Sequence, residues 1–210
     1  IKLNQETIVA HCPNTGSMMG LLDEGNEVFV SKNNDPKRKL KYTLEIIKVK
    51  KNLVGVNTHF ANKIAFHGLS NNLIKEVKNS NNIKPEVFFD KETRFDFLVE
   101  KNNQKTFVEV KNVTLCRKDK LAEFPDAVTS RGSKHLKTLI EATKKGYKTY
   151  LLFLVQIQGV TDFKIAKDID KEYYENYKLA KKAGVKFLAY RCKINSKEIK
   201  IEKKIKIIND

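Results

Sequence analysis

The chain has 210 residues, 40% of them hydrophobic, and 41 Lys and Arg against 25 Asp and Glu give a formal net charge of +16. That is enough apolar material for a real core in one large or two small domains, and no apolar run approaches the roughly 20 residues a membrane-spanning helix needs. Cys12, Cys116 and Cys192 are odd in number, widely spaced and far from zinc-ligand spacing, so they suit free thiols of a reducing cytoplasm better than disulfides or a structural metal site.

Residues 6–62 alternate apolar and polar residues in short runs. Glu27–Ser31, Leu44–Val49 and Leu53–Val56 read as strands, with turns at Asn14-Thr15-Gly16, Asp23-Glu24-Gly25-Asn26 and Asn33-Asn34-Asp35-Pro36. Several short strands at close spacing predict a small β-barrel. Residues 60–67 read as a short helix, and 70–80 are polar and Asn-rich. The expected division is therefore 1–68 and 69–210. Beyond residue 83 the order changes. Glu86–Phe89 is a strand, 94–113 a hairpin and Ser133–Lys145 an amphipathic helix ending at Gly146. Thr149–Gln156 is a continuous apolar run, as in a strand covered on both faces. Asp170–Ala183 is a second helix stopped by Gly184, Val185–Tyr190 a core strand, and 198–207 an alternating edge strand. Order and composition give an α/β fold with a mixed sheet flanked by helices.

The hairpin carries the chemistry. Arg94-Phe95-Asp96-Phe97-Leu98-Val99 is followed, after a polar turn, by Phe107-Val108-Glu109-Val110-Lys111. Side chains at i and i+2 share a strand face, so Glu109 and Lys111 point one way and Val108 and Val110 the other. Asp96 interrupts an apolar run. Two carboxylates and a lysine are what a Mg²⁺- or Mn²⁺-dependent phosphodiesterase needs: the acids hold the hard cation and the lysine steadies phosphate charge or a water nucleophile. The spacing is that of the PD-(D/E)xK nuclease core. The same residues also fit an ordinary hairpin, with the acids paired to Arg94 or a nearby Lys and Lys111 at a solvated strand edge.

Stretches elsewhere widen the pattern. They include His11-Cys12-Pro13-Asn14-Thr15-Gly16-Ser17-Met18, Asn34-Asp35-Pro36-Lys37-Arg38-Lys39, Tyr42-Thr43-Leu44-Glu45, Val54-Gly55-Val56-Asn57-Thr58 and Ala61-Asn62. After the hairpin come Asn112-Val113-Thr114-Leu115 and Glu123-Phe124-Pro125-Asp126-Ala127-Val128-Thr129-Ser130-Arg131-Gly132-Ser133-Lys134-His135-Leu136. In this order, over nearly the whole chain, they resemble the sugar fermentation stimulation protein (SfsA) family. The resemblance implies an N-terminal OB-like barrel, a PD-(D/E)xK nuclease-like C-terminal domain and DNA binding without marked sequence preference. It also implies a first basic, aromatic strand ahead of Ile1, and it matches Glu86 to an acidic position that could supply a third metal ligand.

Other candidates concern nucleic acid. Lys37, Arg38, Lys39 and Lys41 form a dense basic cluster between two barrel strands, with Tyr42 the nearest aromatic; OB folds bind strands with such loops, though a solvated basic turn looks the same. Arg131 and Lys134 flank the start of the helix after the hairpin, where free N–H groups and the dipole favour phosphate. Asp126 or Thr129 is placed to cap that helix, and His135 is open between a site role and a packed one. His11-Cys12 are neighbours on a strand and face opposite ways, which suits structure better than Cys–His catalysis. The net charge fits a polyanion partner, although Lys and Asn excess also follows from A/T-rich coding. The expected function is a cytoplasmic, sequence-nonspecific DNA-binding protein with a Mg²⁺- or Mn²⁺-dependent nuclease-like site. The rivals are a non-catalytic DNA-binding regulator of sugar metabolism that keeps a fossil nuclease fold, and an RNA-binding OB protein.

Overall fold

The computed structural model of the chain describes residues 1–91 and 93–208. A small hairpin, β1 (Lys2–Leu3) and β2 (Glu6–Thr7), precedes a sheet ordered β3 (Ala10–His11), β5 (Tyr42–Val49), β4 (Glu27–Lys32). The middle strand is the hub. It pairs along its length with β4, and its opposite edge takes β3 at Tyr42 and Thr43 and β6 (Asn52–Gly55) at Ile46–Val49.

Helix α1 (Ala61–Ser70) leads to a six-stranded mixed sheet. Its strands are β7 (Asn82–Phe88), β8 (Arg94–Lys101), β9 (Gln104–Val113), β12 (Lys148–Val155), β14 (Lys186–Ile194) and β15 (Ile199–Lys204), in the order β15-β14-β12-β9-β8-β7. β9, β12 and β14 run parallel at the centre and the others antiparallel. A second sheet joins β10 (Leu115–Lys118), β11 (Leu121–Phe124), β13 (Asp162–Ile165) and β16 (Lys206–Ile207). Helices α2 (Ser130–Lys144) and α3 (Lys171–Ala183) pack on the face opposite α1.

The central strand explains the layering. Leu151 to Val155 are all 0% exposed; Leu151, Phe153 and Val155 face the core under α2 and α3, and Leu152 and Leu154 the core under α1. Such a run is stable only with both faces covered. Thr129 caps α2, its Oγ1 accepting the Gly132 N–H at 3.0 Å. Asp170 caps α3, and Gly184 ends it at φ 103°, the left-handed conformation a glycine adopts without Cβ strain.

The halves are stitched by backbone. The Gly55 N–H donates to the Gln156 carbonyl at 2.9 Å and the Gln158 N–H to the Leu53 carbonyl at 2.9 Å. The approach is close: a Cβ on Gly55 would lie 2.5 Å from Gln156 Oε1. Three local differences from the expected elements have physical causes. The Asn-rich stretch 70–80 is packed, because Ile74 and Val77 are buried and the Tyr190 hydroxyl accepts the Lys75 N–H at 3.1 Å and donates to Glu76 at 2.7 Å. The stretch between Leu115 and Glu123, where the sequence reading places no element, folds into the β10–β11 hairpin. The edge strand over 198–207 breaks at buried Ile205, which sends β16 to pair with β13 in the second sheet.

Candidate metal and phosphate site

The β8–β9 ladder ends at Phe97↔Val108. Continuing that register puts Asp96 across from Glu109. There the strands part, and the Asp96 side chain fills the gap: Oδ2 accepts the Val110 N–H at 2.7 Å and Oδ1 accepts Asn62 Nδ2, from the start of α1, at 2.7 Å. Regular alternation breaks at the same point. Phe97 and Val99 belong to the core under α1, yet Phe95 joins Leu98 in the core under α2. On the neighbouring strand, Pro85↔Phe97 and Val87↔Phe95 leave Glu86 across from Asp96, with Glu86 at φ 55°. Three acids therefore stand in a row across three strands.

They line a cavity of about 770 Å³ together with Lys111, Arg131, Lys134 and His135. Glu109 is the deepest, 2% exposed. Its Oε1 accepts Lys111 Nζ at 2.7 Å and contacts His135 Nδ1, and Lys111 Nζ lies 3.0 Å from that nitrogen. Burial pushes the Glu109 carboxyl up, but Lys111 and His135 outweigh it and hold the group below the usual carboxylate range. Asp96 goes the other way. Burial, then the negative charge of Glu109, push it up to about 6, against the opposing pull of the Val110 N–H, Asn62 and Lys111.

Glu86 turns outward to Arg94 Nε at 2.8 Å. Among the described residues no group of three His, Cys, Asp or Glu side chains is gathered closely enough to hold a metal. Arg131 and Lys134 sit on the first turns of α2 at the cavity wall, with Arg131 Nε 3.5 Å from His135 Nε2. Thr129, not Asp126, is the cap; Asp126 instead ties the halves together, accepting the Met18 N–H at 3.2 Å through Oδ2 and Ser17 Oγ at 2.6 Å through its carbonyl. Lys37, Arg38, Lys39 and Lys41 lie in the β4–β5 connection and Tyr42 opens β5; none of them lines the cavity. Arg38 donates to Thr43 Oγ1 at 3.2 Å. Asn62 and His135 are the contributors that spacing could not reveal, because each reaches the hairpin from a helix distant in sequence.

A β-rich N-terminal unit followed by a mixed sheet flanked by helices, with an acidic pair open to one cavity, defines a two-part protein, an OB domain followed by a mixed α/β domain. Family models agree: the SfsA N-terminal OB domain matches residues 1–56 and the sugar fermentation stimulation protein RE domain matches residues 59–198. The chain belongs to the sugar fermentation stimulation protein family. It is 84% identical over 209 residues to the family homolog of Pelagibacter ubique (strain HTCC1062), covering 100% of this chain and 90% of the relative. It is 43% identical to that of Pseudoalteromonas atlantica, covering 98% and 89%. Among solved structures, Pyrococcus furiosus SfsA in complex with Ca²⁺ superposes with a TM-score of 0.86 at 25% identity, over 95% of this chain and 85% of that one. Among the described residues no helix is long and apolar enough to cross a membrane.

Proposed function

We propose that this protein binds DNA through its phosphates, without marked sequence preference, and that Asp96 and Glu109 hold a divalent cation, Mg²⁺ or Mn²⁺, at a phosphodiester-cleaving site in the cytoplasm. The observation that carries the reading is the placing of two acids from neighbouring strands, Asp96 and the buried Glu109, in one cavity walled by Lys111, Arg131 and Lys134. The donor set fits, since hard oxygen ligands from neighbouring strands suit Mg²⁺ or Mn²⁺, and a relative with the same fold was solved with Ca²⁺. Glu86 would add a third oxygen on leaving Arg94.

When bound, the ion would neutralise phosphate charge and activate water. The chain's own groups do the rest. Asn62 and the Val110 N–H fix the Asp96 carboxylate. Arg131, Lys134 and the start of α2 hold phosphate in the same cavity. Lys111, only 14% exposed at its side chain, is within reach of the same phosphate, so its ammonium would offset charge that grows only in the transition state.

One observation favours the non-catalytic regulator: the Glu109 carboxylate is already paired with Lys111 and in contact with His135, partners the chain itself supplies. Incubation of the full chain with plasmid and with single-stranded DNA, in Mg²⁺ or Mn²⁺ against EDTA, separates the two. We expect cleavage only with metal, lost by about a hundredfold or more in Lys111→Ala while DNA affinity stays nearly intact. Calorimetry should register Mn²⁺ binding that the Asp96→Ala/Glu109→Ala variant lacks. No cleavage with any divalent metal leaves the regulator standing, and equal cleavage by Lys111→Ala removes that residue from the site.

A further inference from the structure

The rim of the cavity carries an aromatic ring that neither the acids nor the phosphate-binding groups explain. Phe88 ends β7 and is 66% exposed. Among the described residues it is the one exposed large apolar side chain lining this cavity. Its neighbour Phe89 is turned inward to pack on Phe95 and Phe107. The backbone sets this up. Ile83 packs in the core under α1 and Val87 in the core under α2, although residues four apart on a regular strand share a face. Glu86, at φ 55°, makes the reversal, and such re-aiming of side chains is the usual work of an irregular strand residue beside a site. Arg94 then fixes the ring: its Cζ lies 5.6 Å from the Phe88 centroid while its Nε pairs with Glu86.

We propose that Phe88 is a stacking platform for a nucleobase unstacked from its strand, so that single-stranded or locally opened DNA is the form preferred at this cavity. The inference rests on the phosphodiester reading above. Bases present a π-face to an aromatic ring only when they leave the duplex stack. A neighbouring guanidinium strengthens such a platform. With phosphates held at Arg131 and Lys134, a ring lining the same cavity is placed for a base.

The test is fluorescence anisotropy of the full chain with single-stranded and duplex oligonucleotides in EDTA, where no strand is cut, using wild type, Phe88→Ala, Phe88→Leu and Phe88→Tyr. The ring is exposed, so these changes unpack nothing, and matching thermal unfolding curves verify it. Phe88→Ala and Phe88→Leu should bind single strands about five- to a hundredfold more weakly, Phe88→Tyr as well as wild type, and duplex affinity should move by less than about twofold. Quenching of 2-aminopurine by wild type and not by Phe88→Ala would place the base on the ring. The proposal falls if Phe88→Ala binds single strands like wild type, if Phe88→Leu does, or if duplex affinity drops equally. A wild type that binds neither form overturns the phosphodiester reading itself; single-strand binding by wild type that Phe88→Ala leaves unchanged overturns only the stacking role.

Discussion

In the unfolded chain Asp96 ionises near its ordinary value of 3.8, and in the fold near 6. Between about pH 4 and pH 6 the folded protein therefore keeps a proton that the unfolded chain has lost, so stability falls as pH rises through that window. Above it the penalty is constant, about 3 kcal/mol at most for two pKa units. Asp96→Asn removes the titration while an amide oxygen still accepts the Val110 N–H, and Asn62 can offer its own oxygen after an amide flip. In metal-free buffer this variant should be about 1–3 kcal/mol more stable than wild type at pH 7.5 and equal to it near pH 4, measured by urea unfolding. Mn²⁺ should raise wild-type stability at pH 7.5 and leave the variant unchanged. A variant less stable than wild type at both pH values would mean that Asp96 is a structural acid and not a strained ligand. Glu109 and Lys111 were legible as neighbours because i and i+2 share a strand face, and Asp96 because it interrupts an apolar run. Asn62 was not, and His135 stayed open, since a side chain that arrives from another element leaves no periodic mark beside its partner.

At the scale of elements, the site depends on one buried carboxylate outside it. Asp170, 3% exposed, accepts the Tyr173 N–H at 2.8 Å through Oδ1, capping α3, and the Thr129 N–H at 2.8 Å through Oδ2. Thr129 in turn caps α2, whose first turns carry Arg131, Lys134 and His135. One side chain thus aligns two helix starts. Thr129→Ala should cost about 1 kcal/mol, the usual loss for a cap. Asp170→Ala strands one buried and one part-buried N–H group and should cost about 2–4 kcal/mol. Because the residues share a network, the double variant should lose less than the sum; strict additivity in urea unfolding would show that the caps act independently. Both helices and the β12 strand were readable from period, caps and Gly184. The second sheet was not: β10, β11, β13 and β16 are two to four residues long, too short for alternation to register. The reversal at Glu86 was equally silent, because nothing in Pro85-Glu86-Val87 demands a positive φ.

For the whole molecule the governing quantity is the net charge of +16, and its placement matters more than its sum. One basic group, Lys37 to Lys41, projects from the β4–β5 connection; another, Arg131 with Lys134, lines the cavity beside the acids. The halves that carry them are joined through Gly55–Gln156, Leu53–Gln158 and Met18–Asp126 hydrogen bonds, so DNA touching both meets two surfaces fixed to one another. Each neutralised phosphate releases counterions, and the logarithm of affinity should fall with the logarithm of salt by about 0.9 per contact on duplex. Four to six contacts correspond to a loss of roughly two or more orders of magnitude between low and moderately high salt. Replacing Lys37, Arg38 and Lys39 together by Ala should flatten that slope by up to about three, with little change at the cavity, which these residues do not line. Titrations of wild type and the triple variant at several salt concentrations, on DNA and on RNA of the same sequence, decide between readings. An unchanged slope clears the loop of a DNA role and leaves binding to the second half alone. A salt-insensitive affinity removes phosphate recognition altogether, and a clear preference for RNA moves the OB domain to a different partner.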